Sequence, residues 1–169
     1  MKSNIIVTGF MGTGKSVVAK ELARKLKMEY IDTDQVIEGR QGLTIADIFA
    51  GHGENIFREQ ENKLVKELSQ KENTVVATGG GTLLSSYNAR ILGQTGEIVC
   101  LYADSQTIHN RVKRKNNRPL LKGKNVLSEI NRLLEERKKA YNNFTIKIDT
   151  TNLSVQEVAD KIITLLKRA

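Results

Sequence analysis

The stretch Ile5-Ile6-Val7-Thr8-Gly9-Phe10-Met11-Gly12-Thr13-Gly14-Lys15-Ser16 decides the fold. Its β-branched opening predicts a buried strand, and its second half matches G-x-x-x-x-G-K-[S/T] at every fixed position. With glycine near ~7% of residues and the other fixed types at similar frequencies, a chance match in such a chain is roughly one in a few hundred. A chance match would also have to fall between a strand and a helix. The chemistry calls for these residue types. Glycines let the backbone wind closely around phosphates with its N–H groups pointing inward, and the following helix adds the positive end of its dipole. Lys15 then reaches the β- and γ-phosphates of a nucleotide, and the Ser16 hydroxyl can ligate Mg²⁺. The competing reading is a glycine turn with a surface lysine.

Outward from this loop, short β-branched runs alternate with longer segments of helical period, the rhythm of an α/β protein with a mostly parallel sheet. A helix is expected over Lys15–Lys27, then strands at Tyr30–Asp32, Thr74–Ala77, Glu97–Tyr102 and Thr145–Asp149. Residues 35–69 are helical in pieces, broken by Gly39, Gly42, Gly51 and Gly53, which predicts two or three helices with an excursion between them. Further helices are expected near Ser85–Leu92, Ser105–Lys115, Leu127–Tyr141 and Val155–Lys167, with a basic loop at Asn116–Lys124 around the lone Pro119. At 169 residues the chain suits one compact domain, and folding at this size needs no disulfide or metal staple.

Charge and composition narrow the partners. The 27 Lys and Arg exceed the 19 Asp and Glu, a net charge of +8, which points to a negatively charged partner. Eight aromatics and no Trp count against a stacking platform for single-stranded nucleic acid, and DNA-reading patterns are absent, so no nucleic acid is expected. The single Cys100, inside Ile98-Val99-Cys100-Leu101, reads as a buried small hydrophobe in a reducing cytoplasm. No signal-type segment or membrane span is expected, and the protein reads as soluble and intracellular.

Several other stretches fall where ligands bind in open α/β sheets, beyond the C-terminal ends of the strands. Asp32-Thr33-Asp34 follows the second strand with two carboxylates expected to share a direction. One can order the water shell of Mg²⁺, and the other can orient an attacking hydroxyl or take its proton. The alternative is helix capping, since Asp32 with Gln35 resembles a capping box. Gly79-Gly80-Gly81 is either a plain turn or a place where exposed backbone N–H groups approach a polar ligand. Arg58 can grip a carboxylate bidentately, or form a surface pair with Glu54 or Glu61. Phe49 and Phe57 read as core by default. From Arg111 to Lys124 there are seven Lys and Arg and no acid, which makes either a solvated loop or a lid that closes over phosphate.

Taken together, GFMGTGKS, the DTD of residues 32–34, Phe57-Arg58-Glu59-Gln60-Glu61, the TGGGT of Thr78 to Thr82, Arg118-Pro119-Leu120-Leu121 and Ile148-Asp149-Thr150 resemble the shikimate kinase family in order and spacing. The resemblance covers essentially the whole chain, and DTD, FRxxE and TGGG make it specific. It implies a P-loop fold of the nucleoside-monophosphate-kinase type, a three-layer sandwich with a five-stranded parallel sheet. It also implies a lid at about 112–124 and a substrate-binding segment at about 33–61. The implied activity transfers the ATP γ-phosphoryl group to the 3-hydroxyl of shikimate, on the route to chorismate and the aromatic amino acids, and a monomer is expected.

Carried onto this chain, the resemblance gives Gly12, Thr13, Gly14, Lys15, Ser16 and Val17 to the nucleotide, with Ser16 and Asp32 placing Mg²⁺. Arg111 and the segment Thr151-Asn152-Leu153 would flank the adenine, and Arg118 would approach the transferring phosphate. Lys15, Asp34 and Arg118 would be catalytic. Shikimate would be held by Asp34, Arg58, Gly79, Gly80, Gly81 and Arg137, with Phe49 and Phe57 on the apolar side. The family's R-x-P-L-Y run appears here as Arg137-Lys138-Lys139-Ala140-Tyr141, so Arg132 stands as an alternative to Arg137. The runner-up is another small P-loop kinase, such as a gluconate kinase, which would not need two arginines on one carboxylate.

Overall fold

A computed structural model describes residues 3–113 and 125–167. The expected lid, 112–124, lies almost entirely outside the described residues, and Arg118 lies outside them too. The strands are β1 (Asn4–Gly9), β2 (Glu29–Asp32), β3 (Thr74–Ala77), β4 (Gly96–Tyr102) and β5 (Ile146–Asp149). The helices are α1 (Lys15–Leu26), α2 (Thr33–Gln41), α3 (Ile45–His52), α4 (Glu54–Leu68), α5 (Ser86–Thr95), α6 (Ser105–Lys113), α7 (Val126–Asn142) and α8 (Val155–Leu166). One tight helical turn, Thr82–Leu84, follows the triple glycine.

The five strands form one sheet in the order β2-β3-β1-β4-β5, and every neighbouring pair is parallel. β1 is central and buried along its length, which is why it reads as an unbroken apolar run. Its side chains alternate between layers. Ile5 and Val7 pack with Leu22 of α1 and Ile162 of α8, while Ile6 packs with Leu64 of α4 and Leu92 of α5. Burying each such aliphatic side chain contributes ~1.5–3 kcal/mol before the cost of ordering the chain. A third cluster joins Phe10 and Met11 of the phosphate loop to Ile108 of α6 and Ile130 and Leu133 of α7.

Local signals explain the helix ends. Thr44 caps α3 by accepting from the Asp47 N–H, and Ser154 with Glu157 makes a complete capping box on α8. The stretch expected to hold two or three helices holds three. The chain turns to opposite sides of β1 on its way to β3 and to β4, so the C-terminal end of β1 opens onto a crevice. Among the described residues no helix is long and apolar enough to cross a membrane.

Candidate active site

The loop after β1 folds back on itself before α1 begins. The Thr13 hydroxyl and the Lys15 ammonium both donate to the Phe10 carbonyl, at 2.7 and 3.0 Å. Gly14 is the cap of α1, so the free N–H groups of its first turn face the same crevice. A pocket of about 360 Å³ is lined by Gly12, Thr13, Gly14, Lys15, Ser16 and Val17 together with Arg111, Thr150, Leu153 and Val155. Arg111 donates to the Thr150 carbonyl at 2.7 Å and to its hydroxyl at 3.0 Å, and the Thr150 hydroxyl bonds the Thr13 carbonyl at 3.0 Å. Thr150 thus ties the end of β5 to the phosphate loop, a role sequence did not assign. Of the three residues expected beside an adenine, Leu153 lines this pocket and Thr151 instead accepts from the Asp104 N–H.

Asp32 caps α2, one of the two roles its sequence context offered, and its other oxygen meets the phosphate loop. Its Oδ1 caps α2 by accepting from the N–H groups of Asp34 and Gln35, at 3.0 and 3.3 Å, while its Oδ2 accepts from the Ser16 hydroxyl at 2.6 Å. A hydroxyl and a carboxylate side by side are hard oxygen donors that suit Mg²⁺. Among the described residues no cluster of three or more His, Cys, Asp or Glu could hold a metal alone. The remaining ligands would then be phosphate oxygens and water, the way Mg²⁺ prefers to be bound. The donor set fits the ion.

The two carboxylates of DTD do not share a strand direction as expected. Asp32 ends β2, and Asp34 stands in the first turn of α2. Both nevertheless line a second pocket of about 300 Å³, whose wall also includes Ser16 and is therefore shared with the nucleotide-side pocket. Around it stand Phe49, Phe57, Arg58 and Glu61, the three glycines, and Arg137. Phe49 and Phe57 meet edge to face, with ring centres 5.2 Å apart. Phe57 is also buried in the core beneath the pocket, so it is at once core and pocket wall.

Arg58 forms the ion pairs that its spacing predicted, with Glu54 at 2.8 Å and with Glu61. Glu61 is not on the surface, however. It is 1% exposed and accepts from the Thr82 hydroxyl at 2.5 Å. Burial acts to lower the Arg58 pKa, but the two carboxylates outweigh it and hold the guanidinium above its ordinary value. Arg58 is thus a fixed cation, aimed into the pocket across the Phe57 ring at 5.3 Å.

The triple glycine leaves room for these side chains. A Cβ on Gly81 would stand 2.6 Å from both terminal nitrogens of Arg58, and one on Gly79 would stand 2.6 Å from Asp34 Oδ1. The expectation of exposed N–H groups fails at Gly79, whose buried N–H donates to the Thr33 hydroxyl at 2.9 Å. Arg137 reaches the pocket, with its guanidinium 5.5 Å from the centre of the Phe10 ring. Arg132 does not: it is exposed and paired with Glu129 and Glu136. The helix could have told them apart, because Arg137 continues the buried stripe of Ile130 and Leu133 at helical spacing and Arg132 does not.

A family model for shikimate kinase matches residues 11–167. A shikimate kinase of Pelotomaculum thermopropionicum is 45% identical over 164 residues, 97% of this chain and 95% of that protein. A solved shikimate kinase from Acinetobacter baumannii, in complex with shikimate, is similar with a TM-score of 0.94 and 35% identity over 98% of this chain and 93% of that one. A gluconokinase from Sinorhizobium meliloti has a TM-score of 0.63 at 18% identity, over 99% of this chain and 93% of that one, a likeness of fold alone. The matched span takes in most of the phosphate loop, the carboxylate pair and the arginine pocket, and the chain belongs to the shikimate kinase family.

Proposed function

We propose that this protein transfers the γ-phosphoryl group of ATP to the 3-hydroxyl of shikimate, giving shikimate 3-phosphate and ADP on the route to chorismate and the aromatic amino acids. One observation supports the reading above all: a carboxylate, Asp34, and two arginines, Arg58 and Arg137, surround one pocket that shares the Ser16 wall with the phosphate loop. A hydroxylated ring acid needs this combination, an acceptor for its hydroxyl proton and cations for its carboxylate. A gluconate kinase shares the fold, but the family match lies with shikimate kinases.

In this reading the backbone N–H groups of Gly12 to Ser16 cradle the phosphates, and Lys15 meets the charge that grows on the transferring oxygens. Ser16 and Asp32 would hold Mg²⁺, which when bound neutralises charge on the β- and γ-oxygens. Asp34 orients the shikimate hydroxyl and accepts its proton as the new O–P bond forms and the bond to ADP breaks. Arg58 and Arg137 hold the carboxylate, Gly80 and Gly81 let the ring approach, and Phe49 and Phe57 pack its apolar side. Residues 33–61 serve as the substrate-binding segment, Arg111 and Leu153 flank the adenine, and Arg118 serves the transferring phosphate from outside the described residues. In this reading the enzyme acts as a monomer, and the buried lone Cys100 suits a cytoplasmic protein. A coupled assay with ATP, Mg²⁺ and a panel of acids and polyols should give turnover on shikimate; turnover on gluconate with none on shikimate would refute the assignment.

A further inference from the structure

Tyr141 closes the run Arg137-Lys138-Lys139-Ala140-Tyr141, and no step of the proposed reaction uses it. With no proline in that run, α7 continues unbroken through it, so Arg137 and Tyr141, four residues apart, lie on one face of the helix. The Tyr141 hydroxyl donates a 2.8 Å hydrogen bond to the Gly80 carbonyl, 61 residues away in the chain and in the middle of the triple glycine. Arg137 is close to the same point: its Nη1 lies 3.9 Å from where a Cβ on Gly80 would stand. Its positive charge also acts on the phenol, opposing the effect of burial. On another side the Tyr141 ring borders a cleft of about 510 Å³, lined also by Phe10, Cys100 and Leu134. The ring packs against the cluster of Phe10, Ile130 and Leu133, and its hydroxyl bond to Gly80 ties it to the acceptor pocket.

We propose that Tyr141 is a positioning residue of the acceptor site: its hydroxyl bond to the Gly80 carbonyl pins the end of α7 to the triple glycine and so sets where the Arg137 guanidinium stands. Tyr141 itself need not touch the substrate. The inference rests on the assignment of the pocket to shikimate, because it is read through the grip of Arg137 on a carboxylate.

The test is Tyr141→Phe, which keeps the ring and removes the hydroxyl. KM for shikimate should rise ~3- to 10-fold, the loss expected of one hydrogen bond, with KM for ATP within about twofold and kcat less affected. The melting temperature should stay within ~4 °C of the parent. A shikimate analogue with hydroxymethyl in place of the carboxylate should bind the parent and Tyr141→Phe within about twofold of each other, since Arg137 then has no charge to grip. In an Arg137→Ala background the added cost of Tyr141→Phe for shikimate should likewise fall below about twofold. Equal penalties on shikimate and the analogue, a rise in ATP KM, or a melting temperature lowered by more than ~10 °C would each mark a structural strut and overturn the proposal. If the parent protein does not phosphorylate shikimate, it is the functional assignment that fails, which keeps the two failures apart.

Discussion

The Ser16 hydroxyl donates to the Asp32 carboxylate across 2.6 Å, joining the end of the phosphate loop to the end of β2. The other oxygen of that carboxylate caps α2, so substitution at Asp32 tests two roles at once. Asparagine is as good a helix cap as aspartate but carries no charge for a cation. Asp32→Asn should therefore change stability by less than ~1 kcal/mol, because the cap survives. The Mg²⁺ concentration needed for half-maximal velocity should rise by about tenfold, the equivalent of ~1.4 kcal/mol in binding. An Mg²⁺ titration paired with a melting curve separates these effects. An unchanged titration would reduce Asp32 to a cap.

Lys15 is anchored at 3.0 Å to the Phe10 carbonyl, inside the loop it serves. A cation held in place before the reaction pays little reorganisation when charge develops on the transferring oxygens, so it acts mostly on the transition state. Lys15→Ala should lower kcat/KM by the equivalent of at least ~3 kcal/mol. Steady-state kinetics on the folded variant checks this, and near-normal kcat/KM would remove Lys15 from the catalytic set.

Much of this arrangement is legible in sequence, for a physical reason that differs from residue to residue. β3 at Thr74–Ala77 and the central β1 are visible because strands buried on both faces demand continuous β-branched runs. The phosphate loop is visible because its chemistry needs glycine, lysine and serine at set spacing. The pairing of Arg58 with Glu54 and Glu61 is visible from helix spacing, but the burial of Glu61 is not. That burial arises where α4 meets Thr82, a tertiary contact across 21 residues that no local pattern encodes. The Thr33 bond to Gly79 and the Tyr141 bond to Gly80 stayed hidden for the same reason. Asp32 looked ambiguous because sequence shows its neighbours in the chain, and the partner that completes its role is Ser16.

Alkaline pH should weaken the fold in two stages. Burial pushes the Cys100 thiol from its ordinary value of 9.0 up to about 11, and pushes Tyr141 from 10.0 up to about 12 despite the opposing charge of Arg137. A group whose folded pKa is raised holds its proton more tightly when folded. Its contribution is complete below the unfolded pKa and is lost as pH climbs toward the folded one. The melting temperature should therefore begin to fall above about pH 9 through Cys100, and fall further between about pH 10 and 12 through Tyr141 together with Tyr30, which burial also raises from 10.0 to about 12. In Cys100→Ala the first stage should disappear. An identical decline below pH 10 in that variant would assign the effect elsewhere.

Asp34 and Arg58 should separate by kinetic signature, because the proposed reaction has them act on different parts of the acceptor. Asp34 meets the hydroxyl that becomes the nucleophile, so Asp34→Asn, which keeps size and loses charge, should cost mainly kcat. Arg58 in that reaction would hold a carboxylate that does not change. Arg58→Lys keeps the charge and loses the planar fork, so it should raise KM for shikimate and leave KM for ATP nearly constant. The triple glycine allows the same split to be made without touching either residue. A Cβ on Gly79 would press on Asp34 at 2.6 Å, and one on Gly81 would press on the Arg58 guanidinium at 2.6 Å. Gly79→Ala should therefore follow Asp34→Asn in losing kcat, and Gly81→Ala should follow Arg58→Lys in raising KM for shikimate. Some kcat will go with Arg58 wherever its grip also sets the angle of attack. Steady-state measurements on all four variants decide the matter: a rise in ATP KM for Arg58→Lys or Gly81→Ala, with shikimate KM unchanged, would place Arg58 on the nucleotide side and overturn the pocket assignment.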